Sequence, residues 1–340
     1  MRYLITGGAG FIGSHLAEHL LGQGHHVHVI DNLSTGSLGN LQALTGHDRF
    51  SYTIGNVLDY HTLERQVEQC DRIFHLAAAV GVKLIMEEPV ETIVTNVQGT
   101  ENVLKLAYYH QKKILVASTS EVYGKSMDHN GDLPHLSEDS DWTLGPTTKR
   151  RWAYACSKAI DEFLALAYYD EKKLPVVIAR FFNTVGPRQT GRYGMVIPNF
   201  VQRALRGEPI QVFGDGEQSR CFTHVHDAVR AIAALMETPE AEGQVFNIGS
   251  EEEITMNELA RRVCAFAGSE AGYFHVPYEA VYGPGFEDMR RRTPDIRKLR
   301  GVIGYEPQHT TDDILRAVID YYRDREGTEV AFADRSLSSV

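Results

Sequence analysis

A chain of 340 residues with 43% hydrophobic and 23% charged side chains can bury a large core, as two domains or as one domain with a substantial insertion. Its formal net charge of −11 at pH 7 argues against nucleic acid or an anionic membrane as the main partner, so an anionic small ligand would need a locally basic pocket. Cys70, Cys156, Cys221 and Cys264 are scattered with no metal-type spacing. The folded pattern begins almost at Met1 with no room for a signal peptide, and no apolar run reaches membrane-span length. A cytoplasmic protein with reduced thiols and no metal is expected.

The first element is the apolar run Tyr3-Leu4-Ile5, a strand that feeds Gly7, Gly10 and Gly13 and then an amphipathic helix over 11–21. Alone, these glycines also fit an ordinary tight turn. Between a strand and a helix, a G-x-x-G-x-x-G loop has a further use. The first glycine permits the turn, the second lets backbone N–H groups approach a pyrophosphate, and the third lets the helix sit close to its strand. A second strand over 26–30 ends on Asp31, about 20 residues after the loop, where a carboxylate accepts hydrogen bonds from both adenosine ribose hydroxyls. A 2′-phosphate would meet that charge, so NAD is expected rather than NADP, contacting Gly7, Gly10, Phe11, Ile12, Asp31 and Asn32.

Residues 32–40 read as a loop over the adenosine, and 50–57 as a third strand that leads Asn56 and Val57 to the adenine ring. A fourth strand over 71–77 finishes in His75-Leu76-Ala77-Ala78-Ala79. Small residues there let the cofactor approach the backbone at Leu76, Ala77 and Ala78, while His75 reads as packed beside the sheet. A helix over 89–109 carries Asn96 on a small-residue face. A fifth strand over 113–119 precedes Ser120-Glu121, and the polar stretch 125–148 reads as a long surface loop. A helix over 151–169 places Tyr154 and Lys158 on one face, and a sixth strand over 176–182 ends at Asn183.

This alternation predicts an α/β fold, a Rossmann doubly wound parallel sheet with a smaller C-terminal α/β substrate-binding region. Beyond Asn183 come helices over 198–206 and 225–238, a short strand over 245–248 that rejoins the sheet, an irregular aromatic stretch over 272–294 and a closing helix over 312–325. The expected division is an NAD-binding domain over 1–183, rejoined by about 222–265, and a substrate domain from 184–221 and 266–325. A polar tail over 326–340 is expected to be disordered.

Tyr154 can act as a general base on a sugar hydroxyl only if its ionised form is stabilised. A Lys158 ammonium one helical turn away and an oxidised nicotinamide would do so, with Thr119 sharing the hydroxyl. A Tyr and a Lys four residues apart are otherwise just a helix face; behind a dinucleotide loop they point to chemistry.

Taken together, the glycine loop, Asp31, His75-Leu76-Ala77-Ala78, Tyr154-x-x-x-Lys158 and Asn183 resemble the extended short-chain dehydrogenase/reductases that modify nucleotide sugars. The resemblance spans residues 2 to about 323. It implies a tightly bound NAD, contacted also by Asn96, that takes a hydride from sugar C4 and later returns it. It further implies that Asn183, Arg220 and Arg292 hold a diphosphate, with Val196, Gln211 and Phe213 along the nucleotide. It implies a homodimer built on the helices at 89–109 and 151–169.

Ser120-Glu121 bears on the reaction. Once C4 is a ketone, a carboxylate on C5 belongs to a β-keto acid and can leave as carbon dioxide. The Thr119-Ser120-Glu121 sequence resembles that of UDP-glucuronate decarboxylases, which form UDP-xylose, and Arg292-Thr293-Pro294 fits the arginine that meets the sugar carboxylate there. That resemblance implies catalytic roles for Thr119, Ser120, Glu121, Tyr154, Lys158 and Arg292. Val80-Gly81-Val82-Lys83 is nearer to epimerase-like relatives, and Lys83 is expected to reach the substrate. A UDP-sugar 4-epimerase is the alternative, followed by a dehydratase and by a non-catalytic NAD sensor, which should have lost Tyr154 or Lys158.

Overall fold

Runs that are apolar on both faces, such as Leu4-Ile5, Val29-Ile30 and Val176 to Ala179, belong in a sheet covered on both sides. The computed structural model describes residues 1–80, 88–129, 133–191, 195–282 and 289–337. Within it these runs form a seven-stranded parallel sheet. The strands are β1 (Arg2–Thr6), β2 (His26–Asp31), β3 (Phe50–Ile54), β4 (Arg72–His75), β5 (Lys113–Thr119), β6 (Val176–Phe181) and β7 (Gln244–Ile248). Their order is β7-β6-β5-β4-β1-β2-β3. The chain winds outward from β1 to β3, returns to β4 beside β1 and winds the other way, so the order reverses between β1 and β4. A crevice opens there at the carboxyl ends of the strands.

On one face lie α1 (Phe11–Gly22) and α6 (Val225–Glu237), packed on each other through Leu16, Leu20, Ile232 and Met236. On the other lie α2 (Tyr60–Gln69), α3 (Pro89–Tyr109) and α4 (Trp152–Lys172), buried through Leu63, Val103, Leu106 and Ala165. A separate apolar cluster joins α5 (Val196–Leu205), α7 (Met256–Ala267) and the first turns of α9 (Thr311–Leu337) through Val201, Leu259 and Ile314.

Packing and the expected domain limits differ in three places. The helix α7 lies inside the span 222–265 assigned to the sheet domain, yet it packs in the separate cluster with α5 and α9. Conversely, α8 (Arg297–Ile303), expected in the substrate domain, buries Leu299 with the sheet cluster. The closing helix does not stop at 325: α9 continues to Leu337 through a proline-free stretch with Glu326, Glu329, Ala331 and Ala333, all compatible with helix.

The stretch 125–148 is more than a surface loop. Met127 and Leu136 are buried with Tyr123 and Phe182, and Leu136 pairs with the chain around Pro294. The Leu136 amide donates to the Thr293 carbonyl at 2.8 Å and the Asp295 amide to the Leu136 carbonyl at 2.8 Å. Asn247 of β7 holds both segments. Its Nδ2 donates to the carbonyls of Leu136 (2.8 Å) and Asp295 (3.2 Å), and its Oδ1 accepts from the Tyr123 hydroxyl at 2.7 Å. Arg292 is thereby carried to the carboxyl end of β5.

Candidate active site

The glycine turn packs too tightly for side chains. Gly7 has φ +70°, and a Cβ there would lie 2.7 Å from the Ala77 nitrogen; one on Gly13 would lie 2.4 Å from the Gly7 carbonyl oxygen. The resulting cradle leaves the N-terminus of α1, which begins after Gly10 with no side-chain cap, facing the crevice. Asp31 lines one end of the cleft. Its carboxylate accepts from the amides of Ala9 (2.9 Å) and Leu33 (2.7 Å); burial pushes its pKa up while those amides pull it down. Phe11, Ile12, Asn32, Asn56, Val57, Leu76, Ala77 and Ala78 line the same cleft. Every one of these features fits a dinucleotide.

Asn96 stands differently from the expectation. It is buried in α3 and does not line the cleft. Its Oδ1 accepts from the Ala79 amide at 2.8 Å and its Nδ2 donates to Ser157 Oγ at 3.1 Å. Asn96 therefore ties the end of β4 to α4 and holds the cleft wall from behind. Lys83 lies outside the described residues. His75 is packed between Thr6 Oγ1 (2.7 Å) and Thr100 Oγ1 (3.1 Å), and burial first, then Lys158, holds its pKa down to about 3.

Strand β5 ends at Thr119, which lines the cleft with Tyr154. Burial pushes the Tyr154 phenol well above its ordinary range; the charges of Glu121 and Asp161 act the same way, and the nearby Thr119 side chain opposes them. Lys158, one turn further along α4, is buried and donates to Asp161 Oδ2 at 2.7 Å. Asp161 is a buried member of this group that the sequence reading passed over, although the three-residue spacing from Lys158 puts both on one helical face.

Opposite Tyr154 lies a charge cluster. Glu121 follows β5 in a short turn that Thr119 Oγ1 caps by accepting from the Glu121 amide at 3.2 Å. Its carboxylate takes a hydrogen bond from Arg292 Nη1 through one oxygen and is 3.4 Å from Arg151 Nη2 through the other. Burial alone would raise the Glu121 pKa; Arg292, Arg151 and more distantly Arg220 overcome it and pull the value down to about 2. Arg292 Nη2 also donates to Asn183 Oδ1 at 3.0 Å, and Asn183 Nδ2 donates to the Cys221 carbonyl at 2.8 Å. Two arginines thus contact one carboxylate, and the charge of a third acts on it in the same cleft. Arg151 was missed in the sequence reading; its place three residues before Tyr154 on the same helix was the available signal.

The triplet Arg290-Arg291-Arg292 divides. Arg290 pairs with Asp215 and Arg291 with Glu253 at the surface, while Arg292 turns into the cleft. Ser120, Val196, Gln211, Phe213 and Arg220 line the cleft together with the glycine loop, Asn183 and Tyr154. Its volume is about 1570 Å³. Pockets for one small ligand commonly enclose about 300–1,000 Å³, so there is room for a dinucleotide and a second ligand.

The parallel sheet, the glycine cradle and the Tyr154–Lys158 pair beside Thr119 define an extended short-chain dehydrogenase/reductase of the nucleotide-sugar epimerase and dehydratase type. The chain belongs to the family described as GDP-mannose 4,6 dehydratase, whose model matches residues 4–318. It is 44% identical over 326 residues to UDP-N-acetyl-alpha-D-glucosaminuronate decarboxylase of Bacillus cytotoxicus, covering 96% of this chain and 98% of that protein. It is 36% identical to UDP-glucuronic acid decarboxylase 1 of Xenopus tropicalis, covering 95% and 72%. Among solved structures, UDP-glucuronic acid 4-epimerase of Bacillus cereus, in complex with UDP-glucuronic acid and NAD, superposes with a TM-score of 0.84 at 29% identity, covering 95% of this chain and 99% of the other.

Proposed function

We propose that the protein is an NAD-dependent UDP-hexuronate decarboxylase that works through transient oxidation at sugar C4. Gly7, Gly10 and Asp31 would hold NAD, which would supply a hydride acceptor restored within each turnover. Tyr154, near Thr119, takes the C4 hydroxyl proton, and Lys158 stabilises the phenolate. The C4 ketone then accepts the electron pair released when the C5 carboxylate departs as carbon dioxide, and C5 is reprotonated before C4 is reduced.

The observation that carries this reading is Glu121 held between Arg151 and Arg292 in the Tyr154 cleft. A uronate carboxylate arriving at those arginines competes with Glu121 for them. The added negative charge raises the Glu121 pKa from its value near 2, so that the side chain takes up the proton that C5 needs. Asn183 and Arg220 are suited to the diphosphate, with Val196, Gln211 and Phe213 along the nucleotide and Ser120 beside the carboxylate.

UDP-glucuronate, yielding UDP-xylose, is the substrate that the Thr119-Ser120-Glu121 sequence points to. The 44% relative, named for the 2-acetamido uronate, favours that analogue as the second candidate. Incubation with NAD and each UDP-uronate, followed by carbon dioxide release and proton NMR of the product, is expected to give stoichiometric carbon dioxide and a UDP-pentose from one of them. A 4-epimeric uronate without carbon dioxide from both would replace the decarboxylase by a 4-epimerase.

The functional unit we propose is a homodimer. Helices α3 and α4 pack side by side, and Val90 (76% exposed), Ile93, Val94, Ile160 and Phe163 (66%) leave an apolar surface on them. A second copy would cover it as a four-helix bundle. Light scattering is expected to give a dimer mass, and Phe163→Glu is expected to shift it towards monomer; a monomeric parent protein would overturn the assignment. None of the described helices is long and apolar enough to cross a membrane. Together with free thiols at Cys70, Cys156, Cys221 and Cys264, this supports placement in the cytoplasm.

A further inference from the structure

Three of the fifteen histidines meet outside the cleft. His224 ends the short strand Thr223–His224, His226 lies in the first turn of α6, and His309 stands two residues before α9. One ring nitrogen from each lies within 4.8 Å of the other two. The rings of His224 and His309 stack with centroids 4.1 Å apart at 17°, and His226 meets His224 edge-on at 4.9 Å.

Their hydrogen bonds orient the nitrogens. Asp227 is buried, and its Oδ2 accepts from the amides of Gln308 and His309, each at 3.1 Å, and lies 3.0 Å from His309 Nδ1. Its other oxygen accepts from Arg230 at 2.8 Å. A carboxylate fixed in this way keeps the His309 proton on Nδ1 and leaves the Nε2 lone pair open, the arrangement by which a carboxylate commonly supports a metal-bound imidazole. His226 is exposed and makes no side-chain hydrogen bond among the described residues, which gives solvent access to the group. His224 Nδ1 accepts from the His226 amide at 3.2 Å, a long bond that can be exchanged for coordination.

Stacked imidazoles that only fill space would serve packing equally well. That reading does not account for an exposed third ring that brings a nitrogen within 4.8 Å of the other two. We propose that His224, His226 and His309 bind one divalent transition-metal ion of the zinc class, with water at the open position. Nitrogen-only ligation selects such an ion over magnesium or calcium. Tetrahedral bonds of about 2.0–2.1 Å require ligand nitrogens roughly 3.3 Å apart, so nitrogens within 4.8 Å of one another close by up to about 1.5 Å. They do so through side-chain rotation that also turns the stacked His224 and His309 rings out of parallel, so that their lone pairs converge. The ion would staple the strand end, α6 and the segment before α9. Through the edge contact of His226 with His15 (5.3 Å), it would also bear on α1 behind the glycine loop.

The test uses the full-length protein, first stripped with chelator, then titrated with Co²⁺ and followed by its visible absorption and by calorimetry. One equivalent is expected to bind with a tetrahedral spectrum, and Zn²⁺ is expected to displace it and raise the thermal midpoint. The exposed position makes His226→Ala safe for folding; it and His309→Ala are each expected to weaken Co²⁺ binding about tenfold or more. Failure of the parent protein to bind Co²⁺ overturns the proposal, as does equal binding by both variants.

Discussion

Tyr154→Phe is expected to lower kcat on the UDP-uronate by about 10²–10⁴-fold, the usual range for loss of a general base, while leaving UDP affinity within about twofold. The phenyl ring keeps the packing of a residue that is only 9% exposed and removes only the hydroxyl. Steady-state rates and calorimetric UDP binding check the two halves separately; unchanged turnover would exclude Tyr154 as the base. Asp161 adds a pH signature. It neutralises part of the Lys158 charge and holds the Tyr154 proton on, so Asp161→Asn should leave a stronger positive field on the phenol and lower its pKa. A base works only when ionised. The acid limb of kcat/KM should therefore move to lower pH in Asp161→Asn, whereas a purely structural role would reduce activity without moving it.

Arg292→Ala is expected to have the second large effect. Removing one partner of a buried, hydrogen-bonded charge pair costs about 2–5 kcal/mol, or roughly thirty- to several-thousandfold in kcat/KM. Glu121 would keep only Arg151 and the more distant Arg220, and the uronate would lose its fork-shaped partner. Arg292→Lys should recover part of the loss, because it restores charge without the two-pronged geometry that reaches both Glu121 and Asn183. Arg291→Ala, which breaks a surface pair with Glu253 and a long 3.5 Å bond to the Pro134 carbonyl, should stay within about twofold and serves as the control. Equal losses at positions 291 and 292 would mean that the triplet acts as a diffuse basic surface.

Much of the nucleotide half was legible because each residue there acts on its neighbours in sequence. A turn that excludes Cβ atoms at Gly7 and Gly13 must be written in glycine, and an acid ending β2 must be Asp or Glu to meet ribose hydroxyls. Asn96 was legible as a polar residue on a packed helix, but its direction was not; only the fold shows it turned to Ala79 and Ser157. Helix α7 was missed although its signals were present: Thr255 accepts from the Glu258 amide as an N-cap, and Gly268 ends the helix in a left-handed turn. The contacts of Leu136 were not legible, because scattered apolar residues in a polar stretch carry no mark of a partner more than 150 residues away.

That pairing bears on how specificity is inherited. The carboxylate clamp is assembled from main-chain bonds between the stretch around Leu136 and the stretch from Arg292 to Asp295, and from the Asn247 side chain on the sheet that donates to both. A substitution in any one of these shifts the guanidinium relative to Tyr154 without touching the substrate. Relatives that process different sugars are therefore expected to vary these three stretches as a set, and a graft of the arginine segment alone would bring the right side chain on the wrong anchor.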